Sequence, residues 1–185
     1  MTTPILARSS AQRRAGAKLI GKDEDERLIL VGLGEIRVTK NPQSVLTCLG
    51  LGSCIGVAAY DPQAKVAGMS HIVLPGDPVR NAEPSPKYAL HSVPMLLKLL
   101  CSEGADPKRL VINLAGGARI NLAGGAGGML KIGESNLEAT VRMLALSGLT
   151  PRNKDVGGNR GRTLKLYAGT GKVTVSTVGT PAREL

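Results

Sequence analysis

The chain has 185 residues, enough for one domain with a sizeable core and too few to expect two. Its apolar fraction of 42% is ordinary, but there is no Phe, no Trp, three Tyr and 24 Gly, so the core has to be built from Val, Ile, Leu, Ala and Met. The formal net charge of +10 admits a nucleic-acid partner, yet the basic residues are scattered and the aromatic platforms on which single strands stack are missing, which argues for no nucleic acid and for a basic surface suited to an acidic partner.

Cys48, Cys54 and Cys101 are odd in number and form no CxxC pair, which argues against a disulfide framework and a zinc site and fits reduced thiols. No metal and no organic cofactor is expected. No apolar run approaches the roughly 20 residues of a spanning helix, and the N-terminus lacks the apolar stretch of a signal peptide. The expectation is a cytoplasmic protein without membrane insertion.

Residues 1–27 are polar, of mixed charge, and end in Asp23-Glu24-Asp25-Glu26; they read as a flexible or weakly ordered extension to a domain over 28–185. LILVGLGEIRVT, from Leu28, reads as a strand with a glycine-marked irregularity, followed by a turn at 40–43. SVLTCLGLGS, CIGVAAY and KVAGMSHIVLP read as strands, and 76–87 as loop. A helix fits KYALHSVPMLLKLLCSEG, with Ala89, Val93, Leu96 and Leu100 on one face, Pro94 kinking it or marking a late start, and Gly104 as its cap. Cys101 then belongs to the core and His91 to the surface.

RLVINLAGG reads as a buried strand. GGARINLAGGAGGMLKIG is a glycine-dense loop with neither GxxxxGK[ST] nor a helix-opening GxGxxG, so it shapes structure or an active site rather than cradling phosphate. ESNLEATVRMLALSG reads as a helix with a Ser135–Glu138 capping box, a Leu137, Val141, Leu144 stripe and a stop at Gly148. RTLKLYAGTGKVTVSTVG reads as a hairpin turned at Gly169-Thr170-Gly171. Several strands with two substantial helices placed late indicate an α+β or mixed α/β layered fold.

One turn carries the chemistry. Asp61-Pro62 suits the first two positions of a type I turn. A hairpin loop over residues 61–64 pairs Tyr60 with Lys65 and sets Cys54 directly opposite His71 on one face. A thiol facing an imidazole at that distance can form a thiolate–imidazolium pair with a lowered thiol pKa, and the backbone of Gly52-Ser53-Cys54 can offer N–H donors to an oxyanion. Thr47 or Ser53 could orient the ring.

The strings GLGEIRVTKNP, LGLGSCIGVAAYDPQAKVAGMSHIVLP, KYA, LAGGA, KIGESNLEAT and VGGNRGRT, in that order between Val31 and Gly179, resemble the CheD family of chemoreceptor glutamine deamidases. The resemblance implies a layered α/β/α sandwich with a mainly antiparallel or mixed sheet in a single domain. It implies a hydrolase acting on carboxamide C–N bonds, a protein-glutamine glutaminase, which turns receptor glutamines into glutamates with release of ammonia. Its nucleophile maps to Cys54 and its histidine to His71. The family's third catalytic residue is a threonine six positions before the nucleophile. Here that position holds Cys48, and Thr47, one residue earlier, is assigned the role on the premise of a strand bulge, with Cys48 itself as the alternative.

The implied partners are the cytoplasmic region of a methyl-accepting chemotaxis receptor and a CheC-type phosphatase. The competing reading is a CheD-like interaction protein, weakly catalytic or inactive, which the cysteine at the threonine position keeps open.

Overall fold

The computed structural model describes residues 27–76, 83–119 and 131–185. The extension expected over 1–27 lies outside them except for Arg27, as do positions 77–82 of the first loop and 120–130 of the glycine-dense one.

Ten strands, two helices and a short 3-10 turn at Pro107–Arg109 make up the described chain. The stretch expected as one irregular strand from Leu28 is two strands in different sheets, β1 (Arg27–Leu30) and β2 (Ile36–Thr39). Gly34 at φ +67° and the Glu35 carboxylate, which accepts the Gly32 N–H at 3.1 Å, turn the chain between them.

β3 (Ser44–Leu51), β4 (Ile55–Asp61) and β5 (Val66–Ile72) follow, then α1 (Ala89–Ser102) and β6 (Val111–Gly116). α2 (Ile132–Leu146), β7 (Asn153–Val156), β8 (Arg162–Tyr167), β9 (Val173–Thr177) and β10 (Arg183–Glu184) complete the order. The first sheet runs β1-β3-β8-β9-β10 and the second β2-β5-β4-β6-β7. Each is mixed, with one parallel pair, β1 with β3 and β6 with β7. The expected hairpin at 169–171 joins β8 to β9.

The period of two in β4 and β5 assigns the layers. Ala58, Tyr60, Ala67 and Met69 point at Leu46, Leu51, Leu164 and Leu166 of the first sheet. Val57, Ala59, Val66 and Ile72 point the other way, at Val93, Leu96 and Leu100 of α1 and Leu144 of α2. The expected α+β class with mixed sheets in one small domain therefore forms. The described layers run helices, sheet, sheet, with the core in the two interfaces between them.

α1 runs unbroken through Pro94, which lies on the exposed face, where the Leu90 carbonyl loses its i+4 donor to solvent. Both helices close at glycine: the Ala105 N–H reaches the Leu100 carbonyl beyond Gly104, and the Leu149 N–H reaches that of Leu144 beyond Gly148. Two local expectations are corrected. α2 begins at Ile132, so Ser135 sits in its first turn, donating its backbone N–H to the Lys131 carbonyl, and the capping box with Glu138 does not form. Cys101 is exposed, because the residue after buried Leu100 is turned about 100° away from the core.

Candidate active site

Two chain crossings between the sheets meet at one end of the molecule. Val31 to Glu35 carries the chain from β1 to β2, and Gly52-Ser53-Cys54 carries it from β3 to β4. β5 ends beside both: His71 accepts the Gly34 N–H at its carbonyl (2.9 Å) and donates its own N–H to the Glu35 carbonyl (3.0 Å).

The β4–β5 register differs by one loop position from expectation. Asp61 pairs with Val66, leaving a loop of Pro62–Lys65. The reason is the Asp61 side chain, whose Oδ1 accepts the N–H groups of Gln63 (2.9 Å) and Ala64 (3.1 Å), while Lys65 closes the turn at φ +55°. His71 thus lies opposite Gly56, not Cys54. The ladder shift is two residues, so the face is preserved. Cys54, one residue before the ladder begins at the Ile55–Ile72 pair, packs against the layer between the sheets. Gly56 has no side chain to fill the space across from the ring; a Cβ there would meet Leu51 and Leu164.

His71 is buried, with Nδ1 3.2 Å from the Val31 carbonyl oxygen. A carbonyl only accepts, so Nδ1 carries the proton and Nε2 is left with its lone pair. Nε2 has no partner among the described residues. Burial pulls the imidazole pKa below its ordinary 6.5, and the Val31 bond offsets part of that.

Cys54 is half-buried, and burial pushes its thiol up, opposed by its own backbone N–H. The two shifts run against the lowered thiol expected from the cross-strand pair, because desolvation disfavours the charged form of each group.

The back of the Cys54 turn is tied down by its carbonyls. Gly52 accepts from the Ala118 N–H (2.7 Å), Ser53 from Asn136 Nδ2 (2.8 Å) and Cys54 from the Gly117 N–H (2.8 Å). β6 ends at Gly116 with φ +116°, and a Cβ there would overlap the Cys54 carbonyl oxygen. This close approach is what the start of the glycine-dense stretch provides.

Thr47, expected to complete the site, faces away from it. Its neighbours Leu46 and Cys48 enter the layer between the sheets, while Thr47 pairs with Lys165 on the opposite face and its hydroxyl donates to the Val45 carbonyl at 3.4 Å. The anticipated bulge exists, but between Cys48 and Leu51, too late to turn Thr47 inward. Through its backbone Thr47 still bears on the ring: its carbonyl accepts the Val31 N–H (2.9 Å), and Val31 holds His71. Cys48 is fully buried, its thiol 4.0 Å from the Ser70 carbonyl. Burial and the neighbouring Cys54 push its pKa up to about 12, so it stays protonated.

Two further residues of the site carried no assignment: Val31, whose part is played by its backbone, and Asn136. Asn136 was missed because the expected stripe of α2 was Leu137, Val141 and Leu144, whereas its buried positions are Gly133, Asn136, Thr140 and Leu144. Among the described residues no cluster of three His, Cys, Asp or Glu could hold a metal ion. No helix among them is long and apolar enough to cross a membrane.

The family described as CheD chemotactic sensory transduction matches residues 73–177, just past His71. A Symbiobacterium thermophilum protein named probable chemoreceptor glutamine deamidase CheD is 43% identical over 163 residues, 87% of this chain and 99% of its own length. A Caldanaerobacter subterraneus protein of the same name is 39% identical over 156 residues, 84% of this chain and 96% of its own. The crystal structure of Bacillus licheniformis hypothetical protein YfiH overlaps at a TM-score of 0.40 with 15% identity, covering 74% of this chain and 62% of that one, a likeness too distant to carry an argument.

Proposed function

The chain belongs to the CheD family, and on that premise we propose that it is a chemoreceptor glutamine deamidase with Cys54 as nucleophile and His71 as general base and acid. The observation that carries the assignment of roles is the His71 ring: Nδ1 is held by the Val31 carbonyl, and Nε2 is buried with a free lone pair beside the turn that bears a half-buried thiol.

Because desolvation disfavours the charged form of each group, proton transfer accompanies attack. His71 Nε2 takes the Cys54 thiol proton as Sγ adds to the carboxamide carbon of a receptor glutamine. The tetrahedral oxyanion is met by N–H groups of the Gly52–Cys54 turn, whose carbonyls are committed on the other side. The imidazolium returns its proton to the amide nitrogen, ammonia leaves, and a thioester remains. Water then gives a proton to Nε2 and its hydroxyl to the thioester carbon, releasing glutamate and the thiol. The ring-orienting part that a third side chain plays in a triad falls to the Val31 carbonyl, with Thr47 supporting Val31 through its backbone.

A cytoplasmic location, where the receptor segments lie, and a CheC-type phosphatase as a binding partner are parts of the same proposal. The competing reading, a binding protein without catalysis, separates from it in one experiment. A receptor cytoplasmic fragment is incubated with wild type, Cys54→Ala and His71→Ala, and each glutamine is followed by mass for conversion to glutamate. Conversion by wild type only is expected. Undiminished conversion by Cys54→Ala overturns the mechanism; a wild type that binds the fragment and converts nothing supports the binder.

A further inference from the structure

α2 presents a partly polar face to the second sheet. Its buried residues are Gly133, Asn136, Thr140 and Leu144, at helical spacings. Thr140 is satisfied within the helix, its hydroxyl donating to the Asn136 carbonyl at 2.7 Å. The Asn136 side chain reaches outward instead. Fully buried, its Nδ2 donates to the Ser53 carbonyl at 2.8 Å and to the Val73 carbonyl at 2.8 Å.

Those acceptors belong to different segments. Ser53 precedes Cys54 in the crossing turn, and Val73 lies two residues beyond His71, just past the end of β5. The β4–β5 ladder stops at the Ile55–Ile72 pair, so the next rung would join Cys54 to Val73. The amide of Asn136 stands in place of that rung, tying the two strand ends together from the helix side. Its orientation is dictated by the acceptors, since only N–H groups satisfy two carbonyls, and Oδ1 is left without a partner among the described residues. A buried amide is costly where an apolar side chain would pack, so its two bonds are the structural reason for it.

We propose that Asn136 is a positioning residue, whose side-chain amide clamps the Cys54 turn to the end of the His71 strand and sets the sulfur against the ring. Its consequence for catalysis rests on the deamidase reading; the clamp itself is tested without substrate.

Two variants serve. Asn136→Asp keeps the shape and opposes a carboxyl to both carbonyls, and Asn136→Ala leaves room for water to take them. In each, alkylation of the three cysteines by iodoacetamide is followed by peptide mass, and deamidation of a receptor fragment is resolved into kcat and KM. The clamp predicts changes of opposite sign. Freed from its half-buried turn, Cys54 alkylates faster, by about threefold or more, because the desolvation of its thiolate is relieved. At the same time kcat falls about tenfold or more with KM held, the cost of misplacing reacting atoms.

Cys101, exposed on α1, keeps its rate, and buried Cys48 stays protected. An unchanged Cys54 rate in both variants overturns the clamp. So does a rise at Cys48 that tracks Cys54 in both, which would mean general loosening. Faster Cys54 alkylation in a protein whose wild type never deamidates would support the clamp and sink the deamidase reading alone.

Discussion

At the scale of single residues, the buried His71 ring is held at one nitrogen and left open at the other, the arrangement that the proposed base requires. The Val31 carbonyl accepts the Nδ1–H and leaves Nε2 without a partner among the described residues, and burial lowers the pKa below 6.5. A base that must be unprotonated keeps that state to lower pH when its pKa is depressed. The acid limb of kcat/KM for deamidation should therefore fall below 6.5, measured between about pH 5 and 8. A limb at or above 6.5 would mean that the imidazolium is stabilised and that the resting pair is ionic. Cys54 and His71, the pair proposed to react, were both candidates from the sequence. The sequence could not carry Val31, because a backbone carbonyl leaves no mark in residue identity, nor the outward direction of Thr47, which depends on where the β3 bulge falls.

At the scale of elements, the Cys54 turn depends on the end of β6. Gly116 combines a positive φ with a backbone contact that a methyl group would break, at the point where the Gly117 N–H holds the Cys54 carbonyl at 2.8 Å. Gly116→Ala should destabilise the protein by about 1–3 kcal/mol through backbone strain and steric displacement of the turn. Deamidation should fall further than the melting temperature alone explains; a variant with wild-type melting and activity would show that the turn is not held from β6. The register of β4 and β5 was half legible. Asp61-Pro62 announced the turn, and parity placed Cys54 and His71 on one face, but the loop's position was set by the Asx bonds of Asp61 and the positive φ of Lys65.

For the whole molecule, Asp61 also ties the hairpin to the segment between α1 and β6. It is fully buried and accepts Arg109 Nε (3.1 Å), an Arg109 terminal nitrogen (2.7 Å) and the Asp106 N–H (2.8 Å) in addition to its own turn. Burial pushes its carboxyl up, and these donors outweigh it, led by Arg109, holding it well below the usual carboxylate range. A depressed carboxylate contributes stability that is present above the unfolded value of 3.8 and is lost as pH falls through the folded one. Arg109→Met should lower the melting temperature at neutral pH, since it strands a buried charge, and should flatten the loss of stability on acidification below 3.8. Melting curves across that range check both; an unaltered acid slope would mean that Asp61 is held by its backbone donors alone.

Local rules determined a good deal of this protein from its sequence. Glycine caps, helical spacing, the closing hairpin and the alternation of strand side chains each depend on residues a few positions apart, and an alternation of two survives a register shift of two. Family motifs were likewise read directly from the chain. Tertiary structure decided how the segment from Leu28 to Thr39 divides between two sheets, which face of β3 Thr47 takes, and which groups hold Cys54 and His71. Val31 lies 40 positions from His71 and Asn136 lies 83 from Ser53. Contacts across such separations arise only when sheets and helix pack, because it is the packing that leaves a buried nitrogen or carbonyl in need of a partner.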